Sequence, residues 1–347
     1  MLIGVNSCIS GNNMDFHLEF TPKPFDVKIN HRQNLLLIGS CFTEQIGTKL
    51  ANHKFAVLDN PNGILFNPVS ITRSVSSYID NKQYSGSDLF YQNESWNSWE
   101  HHSRFSHPDK EKCLAGINGS QSKANAFLKN ADWLLITLGS AFVYELPSPL
   151  EEGLGVRSVV ANCHKVPTDK FTKRLLSAEE VFADLQTMIE KLSVFNPAVK
   201  IIFTISPVRH LRDGFVENNR SKATLIQAVH KLIDKNKNCF YFPAYELVID
   251  DLRDYRFFAE DMVHPNYAAT NYVWEKFIAT CIDEPSQQLM KEIAVIVSAK
   301  NHKPFNPGSA QHKKFLQTNL EKVKKLQEQY PYIHLEEEEA FFNSSTI

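Results

Sequence analysis

The sequence of 347 residues lacks a strong net charge, since 37 Lys and Arg residues face 39 Asp and Glu residues and leave a formal charge of -2. Such a balance provides no broad basic field that would gather phosphates, so no nucleic acid is expected as a partner. The chain also lacks an apolar run approaching the ~20 residues that cross a bilayer, so no membrane span is expected. With 43% hydrophobic and 22% charged residues, the composition predicts an ordinary globular protein with a large core.

Cysteine is scarce and scattered, with six residues and no Cys-x-x-Cys pair. This spacing excludes the common structural zinc sites and redox motifs, and indicates reduced thiols in a reducing compartment, hence a cytoplasmic location. The opening MLIGVNSCISG lacks the basic segment and the longer apolar segment of a secretory signal. We expect residues 1–13 to be disordered or absent from the native product, with folding starting near Met14.

Short apolar runs bounded by turn residues alternate with helical patterns along the chain. Such runs are typical of strands that are buried on both faces of a parallel sheet. Between two of them, Ser177 and Glu180 form a capping box at the start of an amphipathic helix. The pattern predicts an α/β fold, a three-layer sandwich around a parallel central sheet. The predicted strands are LLLIG (35–39), DWLLITLG (132–139), KIIFTISP (200–207) and CFYFP (239–243).

Three stretches depart from this alternation. Residues 84–108 are aromatic, rich in His and irregular, and residues 140–168 are long for a connection, so both are predicted to be functional loops. After about residue 284 the pattern becomes purely helical. The sequence thus predicts a main domain over 14–283 and a helical appendage over 284–347. This appendage packs on the domain or on another subunit of a homo-oligomer, and its Glu336 to Glu339 are predicted to be a solvated charge run.

Polar residues follow the predicted strands at the edge where doubly wound sheets bind ligands. Ser40 and Cys41 follow the first strand, and both are potential nucleophiles. Farther along, Asp261 and His264 are three residues apart, so that on a helical turn the carboxylate could hold one ring nitrogen and leave the other as a base. A serine whose proton is taken by such a His is the general arrangement for acyl transfer. On spacing alone, however, an Asp-x-x-His pair is more often structural.

Six blocks of the sequence together resemble the GSCFA family, which is named for a Gly-Ser-Cys-Phe-Ala motif and is placed among the SGNH (GDSL-like) hydrolases. The resemblance spans about residues 20–280 with all blocks in order. Thr43 replaces the final Ala of the motif, a change that is not expected to alter the chemistry. The blocks are GSCFTEQIG (39–47), NPNGILFNPVSI (60–71), LITLGSAFVYE (135–145), VANCHKVP (160–167), SPVRHLRDGF (206–215) and YRFFAEDMVHPN (255–266).

The resemblance implies an SGNH-type catalytic domain with a Ser-His-Asp mechanism. Ser40 matches the nucleophile, and Asp261 and His264 match the block that supplies the base and the residue that orients it. Backbone amides of Ser40, Cys41 and Gly63 would form the oxyanion hole. No metal or organic cofactor is required by this scheme.

One block departs from the superfamily pattern. SGNH enzymes usually take an oxyanion donor from the Asn of a Gly-x-Asn-Asp block after the third strand, where this chain has Gly139-Ser140-Ala141-Phe142. Either Ser140 replaces that donor, or Asn67 or Asn162 reaches into the site. Losing such a donor outright costs about 3 to 4 kcal/mol of transition-state stabilisation.

Several side chains have two interpretations. Cys41 is the rival nucleophile, although the residue after a nucleophile generally contributes its amide and not its side chain. Arg209 and His210 are candidates either for binding an anionic or sugar group or for a structural ion pair, and His164 for contacting substrate or for packing. Trp96 and Trp99 are better explained as anchors of their loop than as a wall of a glycan site. The scattered His and Cys residues follow no ligand spacing, so no metal site is predicted.

The leading hypothesis is therefore a serine ester hydrolase or O-acyltransferase that acts on a small acyl ester, such as an O-acetyl group of a carbohydrate. The alternative is a non-catalytic carbohydrate-binding or scaffold protein that retains the fold.

Overall fold

The computed structural model describes residues 17–147 and 157–344, so the expectation for residues 1–13 lies outside the described residues. The strands in this part of the chain are β1 (Asn34–Gly39), β2 (Ala56–Asp59), β3 (Phe90–Gln92), β4 (Ser95–Asn97), β5 (Trp133–Leu138), β6 (Phe142–Pro147), β7 (Arg157–Val160), β8 (Thr172–Leu175), β9 (Lys200–Ile205) and β10 (Cys239–Tyr241). The helices are α1 (Cys41–Asn52), α2 (Pro68–Ile79), α3 (Lys110–Lys129), α4 (Ala178–Phe195), α5 (Gly214–Lys235), α6 (Ala244–Glu246), α7 (Tyr267–Cys281), α8 (Glu284–Lys300), α9 (Ala310–Gln329) and α10 (Glu336–Ser344).

A five-stranded parallel sheet forms the centre of the molecule, in the order β10-β9-β5-β1-β2. The four strands predicted from apolar runs are present as β1, β5, β9 and β10, which confirms the α/β prediction. β2 was not predicted, because its four residues, AVLD, are too short to give a pattern. Renumbered within this sheet, the strand order is 2-1-3-4-5, the flavodoxin-like order.

Helices cover both faces of this sheet. On one face, apolar side chains of α2, α3, α4 and α5 join one buried cluster with the sheet. On the other face, α1, α7 and the segment 242–248 join a second cluster. The predicted capping box begins α4, where Ser177 Oγ accepts the Glu180 N–H at 3.2 Å and the Glu180 carboxylate accepts the Ser177 N–H at 2.8 Å.

Small antiparallel sheets occur in the two stretches predicted as irregular loops, the second of which also pairs with β8 just beyond residue 168. β3 and β4 pair as a hairpin within residues 84–108. β6 pairs with both β7 and β8, in the order β7-β6-β8. These strands are three to six residues long and carry aromatic and charged side chains, so no clear period of two marks them in the sequence.

The C-terminal helices α8, α9 and α10 share an apolar cluster of their own. In the described residues, no helix has the length and apolarity that spanning a membrane requires.

The prediction that Glu336 to Glu339 are a solvated charge run is wrong for one of the four. Glu338 is 2% exposed. Its carboxylate lies 2.8 Å from Lys54 Nζ, just before β2, and 3.2 Å from Lys300 Nζ in α8. A buried carboxylate must be paired, and here two lysines from different parts of the chain provide the pairing. Glu338 thereby joins the C-terminal helices to the sheet domain.

Replacing Glu338 by alanine is expected to lower the free energy of unfolding by about 2 kcal/mol, between the values typical of surface and of buried ion pairs. Urea unfolding measures the change. Glu336, whose side chain is 70% exposed beside His334, provides the control, since Glu336→Ala should change stability by less than about 0.5 kcal/mol. Equal effects of the two substitutions would contradict the structural role of Glu338.

Candidate active site

The carboxyl ends of β1 and β5 lie side by side at the centre of the sheet. Gly39 at the end of β1 pairs in register with Thr137 of β5. Because β2 lies on one side of β1 and the later strands of this sheet, β5, β9 and β10, lie on the other, the crevice between β1 and β5 is the topological switch point of the sheet. Open α/β sheets bind their ligands at this point. The residue that follows β1 there is Ser40.

A glycine shapes the turn that presents Ser40. Gly39 has φ of +149°, and a Cβ at this position would lie 2.3 Å from the carbonyl oxygen of Thr137. Any side chain would therefore push against the backbone of the neighbouring strand. With glycine there, the chain passes directly from β1 into α1, with Ser40 as the N-cap residue.

The hydroxyl of Ser40 is buried, and it has no hydrogen-bond partner among the residues that the structure describes. An N-cap serine usually accepts an N–H from the first turn of its own helix. Ser40 makes no such bond, although its backbone is extended as in other N-caps. Buried polar atoms without partners are rare and call for an explanation. At the switch point, an uncommitted hydroxyl fits the requirement of a nucleophile.

The thiol of Cys41, the rival nucleophile, is held in its less reactive form. Burial is the largest cause that raises the pKa of Cys41, while N–H groups of Phe42 and of Cys41 itself act in the opposite direction. Since the thiolate is the reactive species, a raised pKa weakens this thiol as a nucleophile. Its backbone N–H, the first in α1, belongs to the four that have no acceptor within a helix.

A turn after β10 holds a carboxylate and an imidazole together. His264 Nδ1 lies 2.6 Å from Asp261 Oδ2, and Asp261 Oδ1 accepts the N–H groups of Val263 and His264 at 2.9 and 3.0 Å. These hydrogen bonds lower the pKa of Asp261 to about 2, and the bond from the His264 backbone N–H has the largest effect. A non-helical turn, in which Met262 has φ of +57°, brings Asp261 and His264 together, in place of the predicted helical turn. The ionised carboxylate keeps the proton on Nδ1 and leaves Nε2 as an acceptor.

This turn is anchored to the loop after β9. The N–H of Arg209 donates to the carbonyl of Val263 at 3.1 Å. Ser40 and His264 are not hydrogen-bonded to each other in this structure, since Ser40 Oγ has no partner. In enzymes without bound substrate, catalytic hydrogen bonds are often long and tighten only in the complex.

The predicted substrate-binding residues Arg209 and His210 lie beside this turn. Arg209 Nη1 and His210 Nε2 are buried and make no hydrogen bond within the described ranges. Burial, followed by the charges of Lys222 and His264, lowers the pKa of His210 to about 3, so its ring is neutral. The guanidinium of Arg209 lies 3.9 Å from the ring centre of Phe258, a cation–π contact. A neutral ring and a cation are therefore available near the imidazole.

A buried lysine, which the sequence interpretation missed, fixes the neighbouring strand ends. Lys222 Nζ donates to the carbonyl oxygens of Gly139 and Ser206 at 2.7 Å, and the residue is 1% exposed. Burial lowers the pKa of Lys222 to about 7. Its position was a signal, since Lys222 precedes Leu225 and Val229 on the buried stripe of α5, where a lysine is unexpected.

Three predicted oxyanion donors are engaged elsewhere. The N–H of Ser40 donates to the Thr137 carbonyl at 3.3 Å. The N–H of Gly63 donates to the Asn60 carbonyl at 2.7 Å, because the chain turns tightly there with φ of +81° at the glycine. The hydroxyl of Ser140 lies 3.2 Å from Ser221 Oγ and accepts the N–H of Phe142 at 3.1 Å. The structure therefore differs from the prediction at three donors: the N–H of Ser40 bonds to the neighbouring strand β5, and the polar groups of Gly63 and Ser140 bond within or beside the loops that carry them.

The remaining predicted substrate contacts also stabilise loops. Asn67 Oδ1 accepts the Ser70 N–H at 2.8 Å and caps α2. Asn162 Oδ1 accepts the His164 N–H at 2.8 Å, and His164 Nε2 lies 2.8 Å from the carbonyl oxygen of Ser98. Side-chain caps and turns of this kind are the ordinary roles of Asn and His in loops.

The aromatic segment packs against itself. Trp99 stacks on Phe90 with ring centres 3.7 Å apart, and His164 makes edge contacts with both rings. These contacts match the interpretation of Trp99 as an anchor of its loop. Over the ranges that the structure covers, no group of three or more His, Cys, Asp or Glu residues is arranged to hold a metal ion.

Comparison with known proteins identifies a family. The model of the GSCFA family matches residues 34–277, well over half of the chain, and the model described as the GSCFA domain protein, C-terminal domain, matches residues 293–346. No curated protein matches the chain.

Two solved structures are distantly similar to the chain. One is a candidate platelet activating factor from Streptococcus pneumonia, with a TM-score of 0.37 and 12% identity over 71% of this chain and 82% of that chain. Another is a carbohydrate esterase family 3 protein from Talaromyces cellulolyticus, with a TM-score of 0.35 and 9% identity over 76% of this chain and 99% of that chain. Since both TM-scores are below 0.5, neither likeness bears on what this chain does.

Proposed function

Because the chain belongs to the GSCFA family, we propose that it is an SGNH-type serine ester hydrolase or O-acyltransferase that acts on a small acyl ester, such as the O-acetyl group of a carbohydrate. One observation carries the proposal. At the switch point of the sheet, the hydroxyl of Ser40 is buried without a partner, and the Asp261–His264 pair is held on the loop that continues from the same sheet edge.

In the proposed mechanism, Ser40 Oγ attacks the carbonyl carbon of the ester while His264 Nε2 takes its proton. Asp261 holds the imidazole through Nδ1 and stabilises its charged form. The protonated His264 then gives the proton to the leaving alcohol, and an acyl group remains on Ser40. Water releases this acyl group in a hydrolase, and an acceptor hydroxyl releases it in a transferase.

The tight surroundings of Ser40 support a small acyl group. Ser40 is 3% exposed. The N–H of Ser40 donates to the carbonyl of Thr137, two residues before Gly139. A Cβ at Gly139 would lie 2.8 Å from Phe66 Cβ, so the loop that carries Phe66 lies directly against the residue that follows β5. We therefore expect the surroundings of Ser40 to accept an acetyl group more readily than a long acyl chain.

Hydrolysis of p-nitrophenyl esters of increasing chain length tests the proposal. The kcat/KM for the acetate is expected to exceed that for the octanoate by at least about tenfold, since the longer chain must displace packed side chains. A preference for the octanoate would contradict the small acyl site. Rates equal to the buffer background for every ester would favour the non-catalytic alternative.

A further inference from the structure

Asn60, directly after β2, is fixed from several sides. It is fully buried, with its backbone in the left-handed region at φ of +42°. Its N–H donates to the Leu37 carbonyl at 2.8 Å, and its carbonyl accepts the N–H of Gly63 and a guanidinium N–H of Arg104. An asparagine tolerates this conformation better than most residues do. The backbone of Asn60 is thus held in one place beside the end of β1.

The side chain of Asn60 makes one hydrogen bond where it could make more. Its Oδ1 accepts the N–H of Gly39 at 2.8 Å, while its Nδ2 is buried with no partner in the described part of the chain. Because the Gly39 N–H needs an acceptor, this bond fixes the orientation of the amide and leaves the NH2 group as the uncommitted end. Buried side-chain donors without a partner are uncommon, so the NH2 group of Asn60 calls for an explanation.

The uncommitted amide is next to the proposed nucleophile. The residue bonded to Asn60 is Gly39, and the following residue is Ser40, whose hydroxyl is likewise buried and unpartnered. The donors predicted for the oxyanion hole at Gly63 and Ser140 are engaged in their own loops. The chain therefore has a side-chain amide without a partner at the end of β2, and no Asn at the position after β5 where SGNH enzymes usually have one.

We infer that Asn60 is a catalytic residue whose Nδ2 donates a hydrogen bond to the oxyanion formed on attack by Ser40, in place of the Asn that follows the third sheet strand in other SGNH enzymes. This role rests on the proposed function. When the Ser40 Oγ–carbon bond forms, the electron pair of the carbonyl moves to its oxygen, and the proton of Ser40 passes to His264. Asn60 stabilises the negative oxygen until the bond to the leaving alcohol breaks and the carbonyl re-forms.

The substitution Asn60→Asp tests this role with the least change in shape. Aspartate retains an oxygen that accepts the Gly39 N–H, but it removes the only donor of the side chain. We expect kcat for p-nitrophenyl acetate to fall by about 100-fold, with KM changed by less than about threefold, as for the loss of a donor that acts in the transition state. Asn60→Gly, which fits the positive φ and deletes the amide, should lower kcat to a similar degree.

Asn196 provides a matched control. Its buried Nδ2 donates to the carbonyls of Leu128 and Ala131. Asn196 precedes β9 and so lies near the amino ends of the strands, whereas Ser40 lies at their carboxyl ends. Asn196→Asp should reduce thermal stability and leave kcat within about threefold of the wild-type value when assayed well below its unfolding temperature.

A thionoester of the same acyl group gives a readout that a structural role would not change, since sulfur is a poor acceptor for an amide donor. Wild-type enzyme should prefer the oxygen ester, and the ratio of the two kcat/KM values should shrink by at least about tenfold in either Asn60 variant. Suppose that the wild type shows Ser40-dependent hydrolysis. The role of Asn60 would then be wrong if folded Asn60 variants kept the wild-type kcat or the wild-type ratio of the two kcat/KM values. Absence of that hydrolysis in the wild type would instead remove the proposed function, and this role with it.

Discussion

Ser40→Ala is expected to lower kcat for p-nitrophenyl acetate by at least about 1000-fold, because the Ser40 hydroxyl alone forms the covalent bond in the proposed mechanism. The substitution removes one oxygen that makes no hydrogen bond in the structure, so the fold should be preserved. Steady-state kinetics and thermal unfolding of the same preparation measure both effects. Loss of activity with an unchanged unfolding temperature is the predicted combination.

Ser70 provides the matched control for this substitution. Its hydroxyl, in the first turn of α2, is also buried and unpartnered, but it follows no strand of the central sheet. Ser70→Ala should therefore keep kcat within about threefold of wild type. If Ser70→Ala and Ser40→Ala had similar kcat values, the role of Ser40 as the nucleophile would be wrong.

Asp261→Asn is expected to lower kcat by about 1000-fold through the tautomer of His264. The asparagine oxygen can still accept the N–H groups of Val263 and His264, which places its NH2 group where Oδ2 now faces Nδ1. The NH2 group can only donate, so the ring proton moves to Nε2, and the nitrogen that should accept the Ser40 proton is no longer a base. The corresponding change in serine proteases costs about 10⁴-fold, and we expect less here because Asp261 is half-exposed and water can partly replace it.

Asp254 provides the comparison for Asp261. It lies in the same segment, caps a turn by accepting the Arg256 N–H at 2.7 Å, and has a similarly exposed side chain. Asp254→Asn should leave kcat within about threefold of wild type. A kcat for Asp261→Asn within tenfold of wild type would mean that the imidazole does not depend on this carboxylate.

The sheet could be predicted from sequence because strands buried on both faces need continuous apolar runs. β1, β5 and β9 each have six residues that are nearly all buried, and a capping box marks α4. β2 escaped prediction because four residues at the sheet edge carry no such run. The small sheet β7-β6-β8 escaped prediction because its strands depend on pairing with each other across a long connection and not on a local pattern.

The candidate site residues were chosen from sequence on local signals of a similar kind. Ser40 and the Asp261–His264 pair each carry a signal within a few residues of sequence. The hydrogen bond between Asp261 and His264 is present in the structure. An N–H or NH2 group can serve the oxyanion hole only if it does not already donate to another protein group. The path of the loop over residues 60–67 determines which of these groups are already bonded. No sequence motif shows that the backbone N–H of Gly63 is hydrogen-bonded while the side-chain NH2 group of Asn60 has no partner among the described residues.

The same limit applies to buried charges. Lys222 and Glu338 look like ordinary surface residues by type, yet each is buried with partners that are distant in sequence. Lys222 lies on an otherwise apolar stripe, and that position could have revealed it. Glu338 lies in a run of four glutamates, where nothing local separates it from its exposed neighbours.

Covalent labelling with a fluorophosphonate, followed by peptide mapping, tests whether Ser40 is the nucleophile. The reagent forms a stable bond only with a serine that is activated by a base. We expect one modified residue, Ser40, with labelling lost in Ser40→Ala and at least about 100-fold slower in His264→Ala. Attachment to any other residue, or no attachment under conditions in which an authentic serine esterase is labelled, would contradict this expectation.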